Sequence, residues 1–306
     1  MLSRVAETLY WMCRYIERTE NMARLINVNN MLIMDLPKGV SAGWAPLIDI
    51  IGVREEYLKT HQDFSEQNAL RYLLVGENNH SSVLNSIANA RENARTIRDV
   101  LPKCVWEGVN CLYLYVKENQ NRGLSKRGRF EYLKKIINST QMIYGAADGT
   151  INHDSSYIFM RIGSMIERAD MTSRILDVRS ASLITTEATK AYENIQWVSL
   201  LRSLSAYQMY RQQMSVRVQR KYVIEFIMLS KVFPRSILFC LSELKTTLEP
   251  LVNSEQIISL VDHAIDNLQG SEVRELKNGA LSDYIDQLQI TFADIHNALA
   301  ESYFLK

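Results

Sequence analysis

YWMCRYIERTENMARLINV, residues 10–28, has a counterpart later in the same chain, YIFMRIGSMIERADMTSRILDV, residues 157–178. At a single ungapped offset of 150 residues, Ile16, Glu17, Arg18, Arg24 and Val28 recur as Ile166, Glu167, Arg168, Arg174 and Val178. Glu20 becomes Asp170 and Asn27 becomes Asp177. On a wheel of about 100° per residue, Leu9, Met12, Ile16, Ala23 and Ile26 share one side of a helix. Glu17, Glu20 and Arg24 cluster about a quarter turn away, and Trp11, Tyr15, Met22 and Leu25 occupy much of the remainder. A helix apolar on so many sides is central to its fold, so part of its charged stripe must be buried or line a cavity.

The rest of the chain fits that helix. Of 306 residues, 47% are hydrophobic, with only 12 glycines and 5 prolines. Apolar residues recur at three-and-four spacing almost end to end, which predicts an all-α multi-helix bundle with an internal pseudo-repeat, residues 1–306 forming one helical domain. The repeat helices are expected at about 3–30 and 154–178, with Ser3 and Asp154 or Ser155 as caps. Pro37-Lys38-Gly39 reads as a breaker. Further helices are expected at 44–59, 65–75, 82–100, from Pro102 onward, 130–146, 195–213, 223–229, 234–248, 253–268 and 283–303. Residues 119–128 read as a surface linker, and Asp148-Gly149 as a helix end.

A net charge of +1 argues against a broad nucleic-acid surface. Charges interrupt the N-terminal apolar stretch, so no signal peptide is expected. No run is long enough to span a membrane, since 222–229 is short and contains Glu225. The expectation is a cytoplasmic protein. Cys13, Cys104, Cys111 and Cys240 form no CxxC pair and are read as reduced core thiols.

Glu20 with Arg24 and Asp170 with Arg174 stand at the i,i+4 spacing of ion pairs. If the two copies face one another, their carboxylates and guanidiniums would share one pocket; the alternative is a ladder that only fixes helix register. In ARENARTIRD, residues 90–99, Glu92 is in reach of Arg95, and Arg95 of Asp99. This run is either a solvated ion-pair face or, through Arg91, Arg95 and Arg98, an oxyanion site. Trp197, Arg202, Tyr207, Tyr210 and Arg211 form a mixed cluster, read first as core. The candidate ligand-binding or ion-pair residues are thus Glu17, Arg18, Glu20, Arg24, Glu92, Arg95, Glu167, Arg168, Asp170 and Arg174.

No metal site and no cofactor are expected. Di-iron bundles need helical Glu-x-x-His frames, which His61, His80, His153, His263 and His296 are not read as supplying, and Arg24 and Arg174 would repel a cation. GxxxxGK[ST], GxGxxG and GxSxG patterns are absent.

With these residues in view, the chain resembles the bacterial Alpha-E family of all-helical proteins with a Glu-Arg motif. MLSRVAETLYWMCRYIERTENMARLI, residues 1–26, is similar to the family's opening, and 90–99 followed by Trp106 to its middle. Residues 161–178 resemble its second Glu-Arg segment, and 200–211 with Phe233-Pro234-Arg235-Ser236 its C-terminal part. Cys13 departs from a glycine that Gly163 retains. The resemblance implies association with an ATP-grasp peptide-ligase-like protein, often with a transglutaminase-like protein nearby. It thereby implies an accessory or substrate-binding role in peptide or amide ligation. Two other readings stand beside it: an enzyme using Glu17 or Glu167 as general base, and a purely structural bundle.

Overall fold

The structure, a computed structural model, describes residues 2–36, 43–182, 193–214 and 217–305. It is all-α, with no strand among the described residues. The chain divides into two compact units, Met1–Ser164 and Met165–Lys306, and the boundary falls inside the second repeat helix. The expected breaker Pro37-Lys38-Gly39 lies outside the described residues.

The first unit is built on α1, Ser3–Asp35. No glycine or proline occurs in that span, so nothing in it opposes helix propagation. Leu2, not Ser3, holds the N-cap position: its carbonyl accepts from the Val5 and Ala6 N–H groups, and no side chain caps the helix. There follow α2 (Ala45–Ile50), α3 (Arg54–Leu58), α4 (Glu66–Val75), α5 (Val83–Thr96), α6 (Lys103–Glu118), α7 (Gln120–Leu124) and α8 (Arg129–Thr150). α1 packs on α5 and α8, while α6 lies against both of those helices. Burial on nearly every side of α1, from Leu9 and Tyr10 to Leu25 and Ile26, makes it the core helix its sequence predicted.

Four further expectations in this unit are corrected. The helix expected at 44–59 is two, because Gly52 takes a left-handed φ of +71°. The Gly52 and Val53 N–H groups then close the turn on the Asp49 and Ile48 carbonyls. Residues 119–128 are not simply a surface linker, since they include α7 and the buried Gly123. A β-carbon on Gly123 would come within 2.6 Å of the Tyr132 ring. Asp148-Gly149 does not end α8, which runs on to Thr150 because one exposed glycine costs a helix only about 1 kcal/mol. Cys104 and Cys111 are exposed, and only Cys13 and Cys240 are core thiols. A bulky reagent such as N-ethylmaleimide should therefore modify two thiols per native chain, Cys104 and Cys111, with the other two following only on unfolding. Mass spectrometry of peptides from native and denatured samples checks this.

α9, Ser155–Ser182, carries the second repeat segment. Asp154 Oδ1 accepts from the Ser156 N–H at 2.7 Å, as an opening cap should. The second unit continues with α10 (Glu193–Ser203), α11 (Tyr207–Gln213), α12 (Arg220–Leu229), α13 (Ile237–Leu248), α14 (Glu255–Gly270) and α15 (Asn278–Leu299). The span 195–213 is two helices, because Ser205 adopts φ +53° and the Ala206 N–H reaches back to Leu201 O at 2.7 Å. The apolar run 223–229 is helical, as the surrounding pattern predicted. Ser236 caps α13 by accepting from the Phe239 N–H, so that helix starts three residues later than its proline suggested. Among the described residues no helix is long and apolar enough to cross a membrane.

Candidate functional site

The first Glu-Arg segment sits in the middle of α1, where the helix is covered on most sides. Glu17 is 0% exposed, Glu20 2% and Arg24 4%. Arg24 Nη2 is paired with Glu20 Oε1 one helical turn away. From α8, Gln141 Nε2 also donates to Glu20 Oε1, at 3.4 Å, while Asn21 Nδ2 donates to Glu17 Oε1 at 3.4 Å. One turn earlier, Tyr144 of α8 donates its hydroxyl to the Cys13 carbonyl at 3.1 Å, and Ser164 Oγ donates to Tyr144 Oη at 3.4 Å. Burial pushes the Cys13 thiol up to about 12, a shift opposed by Ser164 and reinforced by the Glu17 charge. This thiol is a neutral core group at any physiological pH.

Arg18 does not join the buried stripe. Adjacent helical residues lie about 100° apart, so Arg18 is half-buried, with its guanidinium 5.7 Å from the Tyr15 ring centroid. Tyr15 stacks on Trp11, and Arg14 lies 5.0 Å from the Trp11 centroid while donating to Tyr10 Oη at 3.1 Å. α1 thus presents a buried carboxylate stripe and, beside it, an aromatic–arginine ladder of the cation–π kind.

Gly163 explains part of this packing. A β-carbon there would overlap the Tyr10 carbonyl oxygen and meet its carbonyl carbon at 3.0 Å, so the two helix backbones touch without a side chain between them. The glycine is required in the second copy, whereas the first accommodates Cys13 as a buried side chain. Gly163→Ala should destabilise by about 2 kcal/mol or more, since backbone cannot swing aside. Gly145→Ala, on open α8 surface, should instead stabilise by about 0.5–1 kcal/mol. Urea unfolding of the two variants tests the opposite signs.

The second segment repeats the pairing at a shallower depth. Arg174 Nε donates to both Asp170 oxygens, at 2.9 and 3.0 Å, with the arginine side chain 33% exposed. Glu167 is buried, and Arg168 is half-buried. Arg168 Nη1 donates to Pro234 O at 3.4 Å and Thr172 Oγ1 to Arg235 O at 3.1 Å, so this segment holds the Phe233-Pro234-Arg235-Ser236 turn. Two stretches are thus joined through backbone carbonyls 66 and 63 residues away in sequence. Arg179 is buried, which pushes its pKa down to about 10.

Asp177, which stands where the first copy has Asn27, has its pKa raised by burial; Ser282 donates to it at 2.7 Å and opposes the shift, while Asp286 adds to it. A raised carboxyl pKa means that the folded state binds its proton more tightly. The resulting stabilisation is complete below the unfolded value and is lost as pH rises through the folded one. Asp177→Asn should therefore gain stability relative to the parent as pH increases through that range, which thermal melts at pH 4 and pH 7 would register.

Glu92 and Arg95 are not part of either buried stripe. Both are exposed on α5, paired to each other at 2.7 Å. Arg91 also bonds Glu92, donates to Asn110 Oδ1 at 2.7 Å and lies 4.9 Å from the Tyr113 centroid. Asp99 follows the helix end at Thr96, so the i,i+4 register that would set it beside Arg95 is lost.

The sequence reading passed over Gln141, Tyr144 and Ser164, which carry no local signal for contact with α1. It also passed over Arg129, 2% exposed, which ties together several segments of the first unit. The chain does contain one Glu-x-x-His frame, Glu77 to His80, but it lies in the turn between α4 and α5 rather than on a helix. Among the described residues no group of three or more His, Cys, Asp or Glu could hold a metal ion.

A family model named Alpha-E, described as a predicted alpha-helical domain with a conserved ER motif, matches residues 1–304. The chain belongs to the Alpha-E family. In one-letter code ER is Glu-Arg, and that dipeptide occurs twice in this Alpha-E chain, at Glu17-Arg18 and Glu167-Arg168. Both glutamates are buried and both arginines half-buried, so each Alpha-E dipeptide straddles the edge of the core. The chain is similar to uncharacterised proteins of Mycobacterium bovis and Mycobacterium tuberculosis, each 25% identical over 97% of this chain and 36% of the relative. It spans about a third of the length of these curated relatives. No solved structure matches it.

Proposed function

We propose that this Alpha-E chain is a non-catalytic helical accessory protein that binds an ATP-grasp ligase-like enzyme or its peptide or amide product, in the cytoplasm. A transglutaminase-like protein is a further partner in this reading. The observation that carries the non-catalytic part is the burial of the glutamates. A general base must come within hydrogen-bond reach of substrate, whereas Glu17 is fully covered and Glu20 is engaged by Arg24 and Gln141. The ligase association rests on the family resemblance. In the mycobacterial relatives the matching region is 36% of a longer chain.

Co-purification from the native cell, followed by melts of the chain with the captured enzyme, tests this. An ATP-grasp protein that co-elutes and raises the melting temperature in a concentration-dependent way is the expected result. Turnover of a peptide or amide by the isolated chain, abolished in a folded Glu17→Gln or Glu167→Gln variant, would overturn it in favour of the enzyme.

A further inference from the structure

Two exposed helix faces of this chain carry opposite charge around an apolar centre. On α8, Phe130 is 41% exposed, and Lys134, one turn further on, places its Nζ 5.7 Å from the ring centroid. Lys135 is exposed beside it, as is Arg127 in the turn that leads into the helix. On α15, Ile290 is 53% exposed, and the exposed Asp286 and Asp294 stand one turn to either side of it. α15 contains no lysine or arginine. Residues 122–135, by contrast, hold six lysines and arginines against the single carboxylate of Glu131. The net charge of +1 therefore averages two regions of opposite sign.

Neither face is neutralised within the chain. Lys126 and Arg129 are paired with Glu66. Arg127, Lys134, Lys135, Asp286 and Asp294 make no ion pair among the described residues, although Glu131 precedes both lysines by one turn. Asp286 instead acts on a second carboxylate, that of Asp177, whose pKa it helps to raise. Like charges one turn apart on a helix repel, so a partner of opposite sign relieves both faces. A large apolar side chain ringed by unpaired charges also has the anatomy of an interface, apolar at the centre and polar at the rim. Because charges flank the apolar residue on both sides of each face, opposing Phe130 and Ile290 sets cation against carboxylate whichever way the helices run.

We propose that α8 of one copy of this chain docks on α15 of a second copy, with Phe130 against Ile290 and the cations of α8 against Asp286 and Asp294. The two faces differ, so the contact is heterologous and propagates beyond a dimer unless a ring closes. The proposal does not depend on the accessory role argued above. The test is sedimentation velocity of the full chain over a concentration series at low salt. The expected result is a weight-average mass that rises with concentration and returns to that of the monomer at about 1 M salt, where the Debye length is about 3 Å. Lys134→Glu/Lys135→Glu and, separately, Asp286→Lys/Asp294→Lys should each weaken association about tenfold or more. All four residues are exposed, so the fold is not at stake. The variant with all four changes exchanges the signs of the two faces, keeps the net charge of +1 and should recover most of the association. That recovery separates docking of the two faces from diffuse charge attraction. A monomer at every concentration, which would leave the faces to other partners, association indifferent to either reversal, or a fourfold variant that stays monomeric would each overturn the proposal.

Discussion

Arg24→Met should cost about 4 kcal/mol of unfolding free energy, which urea denaturation would measure. Glu20 is 2% exposed, and losing the guanidinium would take from a buried carboxylate the cation it is paired with, a change that costs about 3–5 kcal/mol when buried pairs are broken on one side. Glu20→Gln/Arg24→Met removes both charges and should recover most of the loss, because two neutral side chains of similar size need no ion pairing. The double-mutant cycle separates the pair's own coupling from the damage of each single change. It also addresses function. If the proposed ligase-like partner is captured by the parent chain, a folded, stable double variant that still captures it would assign the stripe to packing alone, whereas one that has lost capture would place the pair in recognition.

Arg129→Met should also be damaging, by about 3 kcal/mol, through the hydrogen-bond acceptors it leaves behind. This side chain is 2% exposed and makes four polar contacts with three parts of the first unit. Its Nε donates to Gly123 O at 3.2 Å and its Nη2 to Leu124 O at 3.3 Å, which holds α7 against the start of α8. Nη1 donates to Asn30 Oδ1 of α1 at 2.8 Å, and Nη2 pairs with Glu66 of α4 at 2.9 Å. Methionine would fill the stem's volume but leave a buried carbonyl, a part-buried one and an amide oxygen without this donor. Arg129→Lys should fall between, losing about 2 kcal/mol, since an ammonium keeps the charge for Glu66 but cannot fork to acceptors on opposite sides. Near-wild-type denaturation midpoints for both variants would show that these contacts are dispensable.

Some of this protein was legible from the order of residues alone. Apolar spacing with few glycines and prolines dictated an all-helical chain, because periodicity is a local property that survives without knowledge of neighbours. The all-round apolar character of residues 9–28 marked α1 as the core helix, and the i,i+4 pairs Glu20–Arg24 and Asp170–Arg174 followed from helical geometry. The misread boundaries have no common local signal. Ser205 takes a left-handed conformation with no glycine to announce it, while Gly149 sits in a helix that simply absorbs it.

Depth and partnership were decided only in three dimensions. Two pairs with the same spacing differ in exposure because Glu20 and Arg24 are enclosed by the packing of the first unit, while Arg174 keeps a third of its side chain in contact with solvent. Of the two readings of residues 90–99, the exposure of Glu92 and Arg95 on α5 selects the solvated ion-pair face for that pair. Gly163 could be read as one more helix residue until the Tyr10 carbonyl stood against it, and Arg129 as one more surface arginine until four acceptors surrounded it. The physical reason is the same throughout. Secondary structure is set by interactions within a few residues, whereas burial, and with it the strength of every charge and hydrogen bond, is set by groups far away in the chain.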